Sequence, residues 1–131
     1  MDDEIFGKLK HKYNLYKYEN ITLFGKNRDV KKVVEYDEGD NILHQQQQNY
    51  QTYLKYIEEN KEKLISEIKK YFKEVYNRDI DINKELIPTT IYFSKDGSWG
   101  ILFDTEIDEE NGFSFFVIDG KLHLGTQDSF I

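Results

Sequence analysis

Residues 88–104 read Pro-Thr-Thr-Ile-Tyr-Phe-Ser-Lys-Asp-Gly-Ser-Trp-Gly-Ile-Leu-Phe-Asp, and this stretch decides the fold class. Thr89–Ser94 is β-branched and aromatic, a composition that suits a pleated, half-buried strand. Asp96-Gly97 is a strong two-residue turn signal, because both residue types tolerate positive φ. Trp99–Asp104 then returns as a second strand. Pro88, the single proline, disfavours helix at Ile87 and fits the first position of a strand. Further on, Phe113–Asp119 and Lys121–Gly125 flank a second turn centred on Asp119-Gly120. Short connections make antiparallel neighbours. Residues 88–131 are therefore expected to form a four-strand antiparallel meander, with the terminal Phe130-Ile131 tucked into the core.

Upstream the period changes. From His44 to Asn60 the chain is glutamine-rich and then places Tyr50, Tyr53, Leu54 and Ile57 on one helical face. Gln45–Gln48 reads as solvated helix, since glutamine is a good helix former. Asn60 reads as a boundary whose side chain caps a second helix. That helix, Lys61–Tyr76, carries Leu64, Ile65, Ile68, Tyr71, Phe72, Val75 and Tyr76, with Lys and Glu on its other face. Asn77–Asp79 ends it. Before the helices, Ile21–Phe24 and Val30–Tyr36 read as a hairpin around a 25–29 turn, and Glu19-Asn20 reads as an interruption. Residues 1–12 read as a short helix or a frayed arm.

The expected fold class is thus α+β. An antiparallel sheet, made of an N-terminal hairpin (13–36) and the C-terminal meander, packs against a helical pair (43–77). The 131 residues are one domain's worth, with no internal repeat and no linker. Alanine is absent while ten tyrosines and nine phenylalanines are present, so aromatic rings carry much of the core.

Composition narrows the function classes. There is no cysteine, hence no disulfide framework, thiolate zinc cluster or thiol nucleophile. The start, Met-Asp-Asp-Glu, is acidic and lacks the basic-then-apolar order of an export signal. No apolar run approaches the ~20 residues of a spanning helix. A cytoplasmic location is the expectation, with no membrane partner. Twenty-five acidic against 18 basic residues give a net charge of −7, which argues against nucleic acid and fits a basic protein partner.

The stretch richest in possible chemistry is residues 104–112, Asp-Thr-Glu-Ile-Asp-Glu-Glu-Asn-Gly. Its carboxylates are Asp104, Glu106, Asp108, Glu109 and Glu110. Oxygen-rich loops suit calcium, but an EF-hand needs Gly at its sixth place and Glu at its twelfth, where this chain has Glu109 and Phe115. No metal or cofactor is assigned. His11, His44 and His123 stand at no ligand spacing, the serines lack a nucleophile elbow, and no glycine-rich phosphate loop occurs. No catalytic motif is present. Three readings of the loop remain. One is a solvated, self-repelling loop whose Asn111-Gly112 supplies the tight turn back into the sheet. Another is a partner-binding acidic edge, with Trp99 as a sheet-face anchor or an interface residue. The third is a metal- or small-ligand-binding loop.

The block Trp99–Asp104, then Asp108–Gly112, then Asp119-Gly120 and Gly125–Asp128, resembles a bacterial family of unknown function. Its members end in a "G-[ILV]-L-F-D … D-x-E-x-G … G-x-Q-D" pattern. The resemblance covers about residues 13–131, including Ile21–Gly25 and Lys69-Lys70-Tyr71-Phe72. It implies a small accessory protein, some members being similar to immunity proteins that neutralise bacterial toxins. It implies no catalytic residue.

Overall fold

The computed structural model describes residues 1–130. The chain is α+β. Among the described residues, nine strands and two long helices follow the order β1 (Asp2–Asp3), β2 (Gly7–Lys8), β3 (Lys10–Lys12), β4 (Asn14–Leu23), β5 (Lys26–Val34), α1 (His44–Glu59), α2 (Lys61–Tyr76), a one-turn helix α3 (Ile82–Glu85), β6 (Ile87–Phe93), β7 (Trp99–Asp104), β8 (Phe113–Ile118) and β9 (Lys121–Gly125). Strands β3 to β9 form one seven-stranded sheet in sequence order, and β1–β2 is a separate short ladder.

Hairpin and C-terminal strands are therefore parts of a single sheet, joined along β5–β6. That pair is parallel, so the expected all-antiparallel sheet is corrected at its centre. A parallel pair needs a long crossover, and α1 and α2 supply it. Both helices lie over one face. Leu15, Ile21 and Leu23 of β4, Val30 and Val34 of β5, Ile91 and Phe93 of β6, Ile101 and Phe103 of β7, and Phe113 and Phe115 of β8 are buried with Tyr53, Ile57, Leu64, Ile68 and Phe72 of the helices. Each strand's alternation sends every second side chain to that face.

Several local expectations change. The β4–β5 turn is the two residues Phe24-Gly25, both with positive φ (51° and 80°), rather than 25–29. Such a turn matches strand twist, so pairing continues to its base. Glu19-Asn20 does not interrupt β4. The connection after β6 spans 94–98, closed by Ser94 N–H to Ser98 O at 2.9 Å, and is longer than the expected two-residue turn. Residues 1–12 are neither helix nor frayed: Phe6 and Leu9 are buried, and the Phe6 ring lies 4.4 Å from that of Tyr50.

The glutamine run is not simply solvated. Gln46 is 1% exposed. Its amide donates to Glu35 O (2.8 Å) and Phe93 O (3.1 Å), and its carbonyl accepts from Leu43 N–H (2.9 Å). One polar side chain thus ties α1 to the ends of both strands of the parallel pair. Asn60 closes α1 instead of capping α2, since its side-chain amide donates to Tyr56 O at 2.9 Å. Phe130 lies on Phe116 (centroids 5.1 Å apart), on the sheet face opposite the helices. Ile131, expected in the core, lies outside the described residues. Among the described residues no helix is long and apolar enough to cross a membrane.

Candidate functional site

The 104–112 segment caps the end of β7 and β8. Thr105 starts a single 3-10 turn, Glu106–Asp108, by accepting Ile107 N–H on its hydroxyl at 3.2 Å. Asp108 organises the rest of the loop. Its carboxylate accepts from Asn111 N–H (3.2 Å), from the Asn111 amide (3.1 Å) and from the Tyr76 hydroxyl of α2 (2.7 Å). Its carbonyl accepts Gly112 N–H at 2.8 Å. Gly112 has φ +62°, and the Gln127 side chain lies where a Cβ would need to be. Gln127 in turn donates to Phe103 O (2.8 Å) from its side chain and to Asn111 O (3.1 Å) from its backbone.

Asp108, Gly112 and Gln127 are therefore one clasp that fixes the loop to α2 and to the C-terminal turn. The Tyr76 hydrogen bond, helped by Asn111, holds the Asp108 carboxyl below the usual carboxylate range. Burial and the same bond push the Tyr76 hydroxyl well above its usual value.

The other carboxylates remain outward. Asp104, Glu106, Glu109 and Glu110 are exposed, and none forms an ion pair among the described residues. No three acidic or histidine side chains gather as metal ligands among the described residues. Asp104, Glu106 and Glu109 rim a groove of about 630 Å³, with Ile87 and the basic Arg78 and Lys84 on its other side. Trp99 is elsewhere, at the opposite end of β7. It is 5% exposed, with the rings of Tyr53, Tyr56 and Phe115 edge-on to it at 5.5–6.1 Å. The structure does not bring Trp99 to the acidic loop.

A second polar cluster, absent from the sequence-based expectations, lies between β4, β5 and α1. Lys32 of β5 is 3% exposed, and its ammonium lies 2.6 Å from Glu19 of β4. The rings of Tyr50 and Tyr53 cover it, with centroids at 5.0 and 4.9 Å. Glu19 also accepts from the Tyr50 hydroxyl (2.8 Å) and pairs with Lys17 (3.3 Å). Burial lowers the Lys32 pKa despite the Glu19 charge. Burial acts to raise the Glu19 carboxyl, but the Lys32 and Tyr50 hydrogen bonds and the two lysine charges outweigh it and hold it low. The Tyr53 hydroxyl, also buried, has no hydrogen-bond partner among the described residues. The sequence does carry a signal for this cluster: a two-residue turn at Phe24-Gly25 places Lys17, Glu19 and Lys32 on one face. A 25–29 turn loses that register.

No family model, no curated protein and no solved structure matches this chain.

Proposed function

We propose that this protein is a non-catalytic protein-binding module, an immunity-type inhibitor that holds a basic toxin domain through its acidic loop. The observation that carries the reading is the pairing of two properties. Asp104, Glu106, Glu109 and Glu110 are exposed and unpaired among the described residues, and the Asp108–Tyr76 and Gln127–Phe103 bonds fix the loop that presents them. Four like charges held close repel one another, which costs stability unless an external cation relieves it. A fixed acidic surface steers a basic partner and loses little conformational freedom on contact. Asp108 is the positioning residue of this surface, and the exposed Ile87 beside the groove offers apolar area. Trp99 supports the scaffold from the core. The metal-binding alternative has no grouping of ligands to rest on among the described residues.

The test is capture from native lysate with the chain as bait, washed at low and high salt. The Asp104→Asn, Glu106→Gln, Glu109→Gln, Glu110→Gln variant runs alongside. A stoichiometric basic partner that the variant loses supports the reading. A partner retained equally by the variant moves the interface off this loop.

A further inference from the structure

The outer edge of β4 is open. Leu23 and Lys26 flank the two-residue Phe24-Gly25 turn, so they form the closing hydrogen-bonded pair of the hairpin. Antiparallel pairs alternate between bonded and non-bonded, and the register runs without a bulge from Leu23↔Lys26 to Leu15↔Val34. Ile21, Glu19 and Lys17 therefore bond to β5. Thr22, Asn20 and Tyr18 turn their backbone N–H and C=O outward. Strand β3 pairs with β4 only as far as Tyr16. From Tyr18 to Thr22 no strand or loop among the described residues takes up these groups.

Native edges are usually blunted by proline, charged side chains on the edge, unpaired inward-pointing charges, bulges or a short span. The opposite end of the sheet fits that pattern better, since β9 offers only Leu122 and Leu124 outward before Gly125 ends it. The β4 edge has no proline or bulge, and its inward Lys17 and Glu19 are tied up in ion pairs, Lys17 with Glu19 and Glu19 also with the buried Lys32.

Beside this edge lies a groove of about 610 Å³ between β4 and α1. Ile21 of β4 and Tyr50, Leu54 and Glu58 of α1 are among the residues that line it. Leu54, on the face of α1 expected to be buried, is 44% exposed, and Tyr18 on the other face of the strand is 65% exposed. The Lys32 ammonium below is buried and taken by Glu19. Glu19, partly exposed, also lines the groove but is held by Lys32 and Lys17; the lining carboxylate in no ion pair among the described residues is the exposed Glu58.

From these features we infer that the β4 edge, Tyr18–Thr22, is a docking site for an extended segment of another polypeptide, which adds to the sheet as a further strand. Main-chain bonds to Tyr18, Asn20 and Thr22 supply affinity, and alternate side chains supply specificity. Those opposite Glu19 and Ile21 enter the groove. An aliphatic side chain fits against Ile21 and Leu54, and a Lys or Arg meets Glu58. The site is separate from the acidic loop, which joins β7 to β8, and each reading can fail without the other.

The probe is an end-blocked, fluorescein-labelled hexapeptide in which threonine alternates with arginine, valine and arginine. Its binding is followed by anisotropy and by amide chemical shifts. Saturable binding that moves the amides of Tyr18, Asn20 and Thr22 is expected. Asn20→Pro removes one outward donor and no ladder bond, so it keeps the fold, checked by thermal melting, while weakening binding by at least about tenfold. Backbone N-methylation of the peptide should have the same effect. Glu58→Lys should weaken binding roughly three- to tenfold, and the four-carboxylate loop variant should leave it unchanged. No binding at millimolar protein overturns the inference, as does binding that survives both Asn20→Pro and N-methylation. A concentration-dependent dimer that Asn20→Pro abolishes assigns the edge to a second copy of this chain and overturns the foreign segment.

Discussion

Glu19 is the only carboxylate paired with the buried Lys32 ammonium among the described residues, at 2.6 Å, whereas Glu19 itself also holds Lys17 at 3.3 Å and the Tyr50 hydroxyl at 2.8 Å. The pair is therefore asymmetric. Removing one partner of a buried pair is far more costly than removing the charge that remains compensated.

Glu19→Gln is expected to destabilise the protein by roughly 3 kcal/mol, because it leaves an uncompensated ammonium in the interior. Lys32→Met keeps the aliphatic stem against Tyr50 and Tyr53 and leaves Glu19 with Lys17 and Tyr50, so it should cost under about 1 kcal/mol or stabilise. Urea unfolding of both variants decides the matter. Equal losses would mean that Lys17 and Tyr50 do not compensate Glu19 once Lys32 is gone. The sign with pH is set by Lys32: its folded pKa is lowered, so the unfolded chain binds more protons between the folded value and the usual lysine range. Across that alkaline window this group adds stability as pH rises.

The Tyr53 hydroxyl is buried without a partner among the described residues, and burial pushes its pKa up. A buried donor left unmade costs its full desolvation penalty. Tyr53→Phe keeps the edge contacts to Phe93 (5.7 Å) and Trp99 (6.0 Å) and removes that penalty. The variant should be more stable by about 1 kcal/mol in denaturant unfolding. A loss of stability instead would show that the hydroxyl has a partner in solution.

The Tyr76–Asp108 bond makes the acidic loop pH-sensitive. Asp108 has a folded pKa below its unfolded one, so its contribution is present above the unfolded value and is lost as pH falls through the folded value. Tyr76 has a raised pKa, so its contribution is present below about pH 10 and is lost as pH rises above it. Tyr76→Phe should flatten both the acid and the alkaline limbs of a melting-temperature profile. It should also speed exchange of the Asn111 and Gly112 amides. Unchanged exchange would mean that Asn111 and Gln127 hold the loop alone.

Much of the fold is legible locally. Periodicity placed the α2 face, where Leu64, Ile68 and Phe72 are buried as expected. Turn chemistry at Asp119-Gly120 gave the β8–β9 hairpin, with Asp119 and Gly120 both at positive φ. The acidic loop was visible as composition, but its internal division was not. Asp108 is committed to Tyr76, some thirty residues earlier in sequence, while its neighbours stay free. Gly100 is similar: a Cβ there would fall 2.4 Å from the Phe115 carbonyl and the Phe116 ring. Gly100, Gly112 and the hydrogen bonds of Asp108 and Gln127 thus report close packing and a clasp.

By itself the sequence determined what depends on near neighbours: strand and helix periods, the turn residues, the net charge of −7 and the aromatic wealth of the core. These arise from backbone sterics and local burial, which act over a few residues. Only the tertiary structure decided that β5 and β6 run parallel, that Gln46 is an interior strut and Leu54 a surface residue, and that Lys32 lies buried against Glu19. Each of these is set by which distant segment supplies the compensating partner. A polar group can enter the interior only where another element meets its hydrogen bonds or its charge, and that choice is made between segments rather than within one.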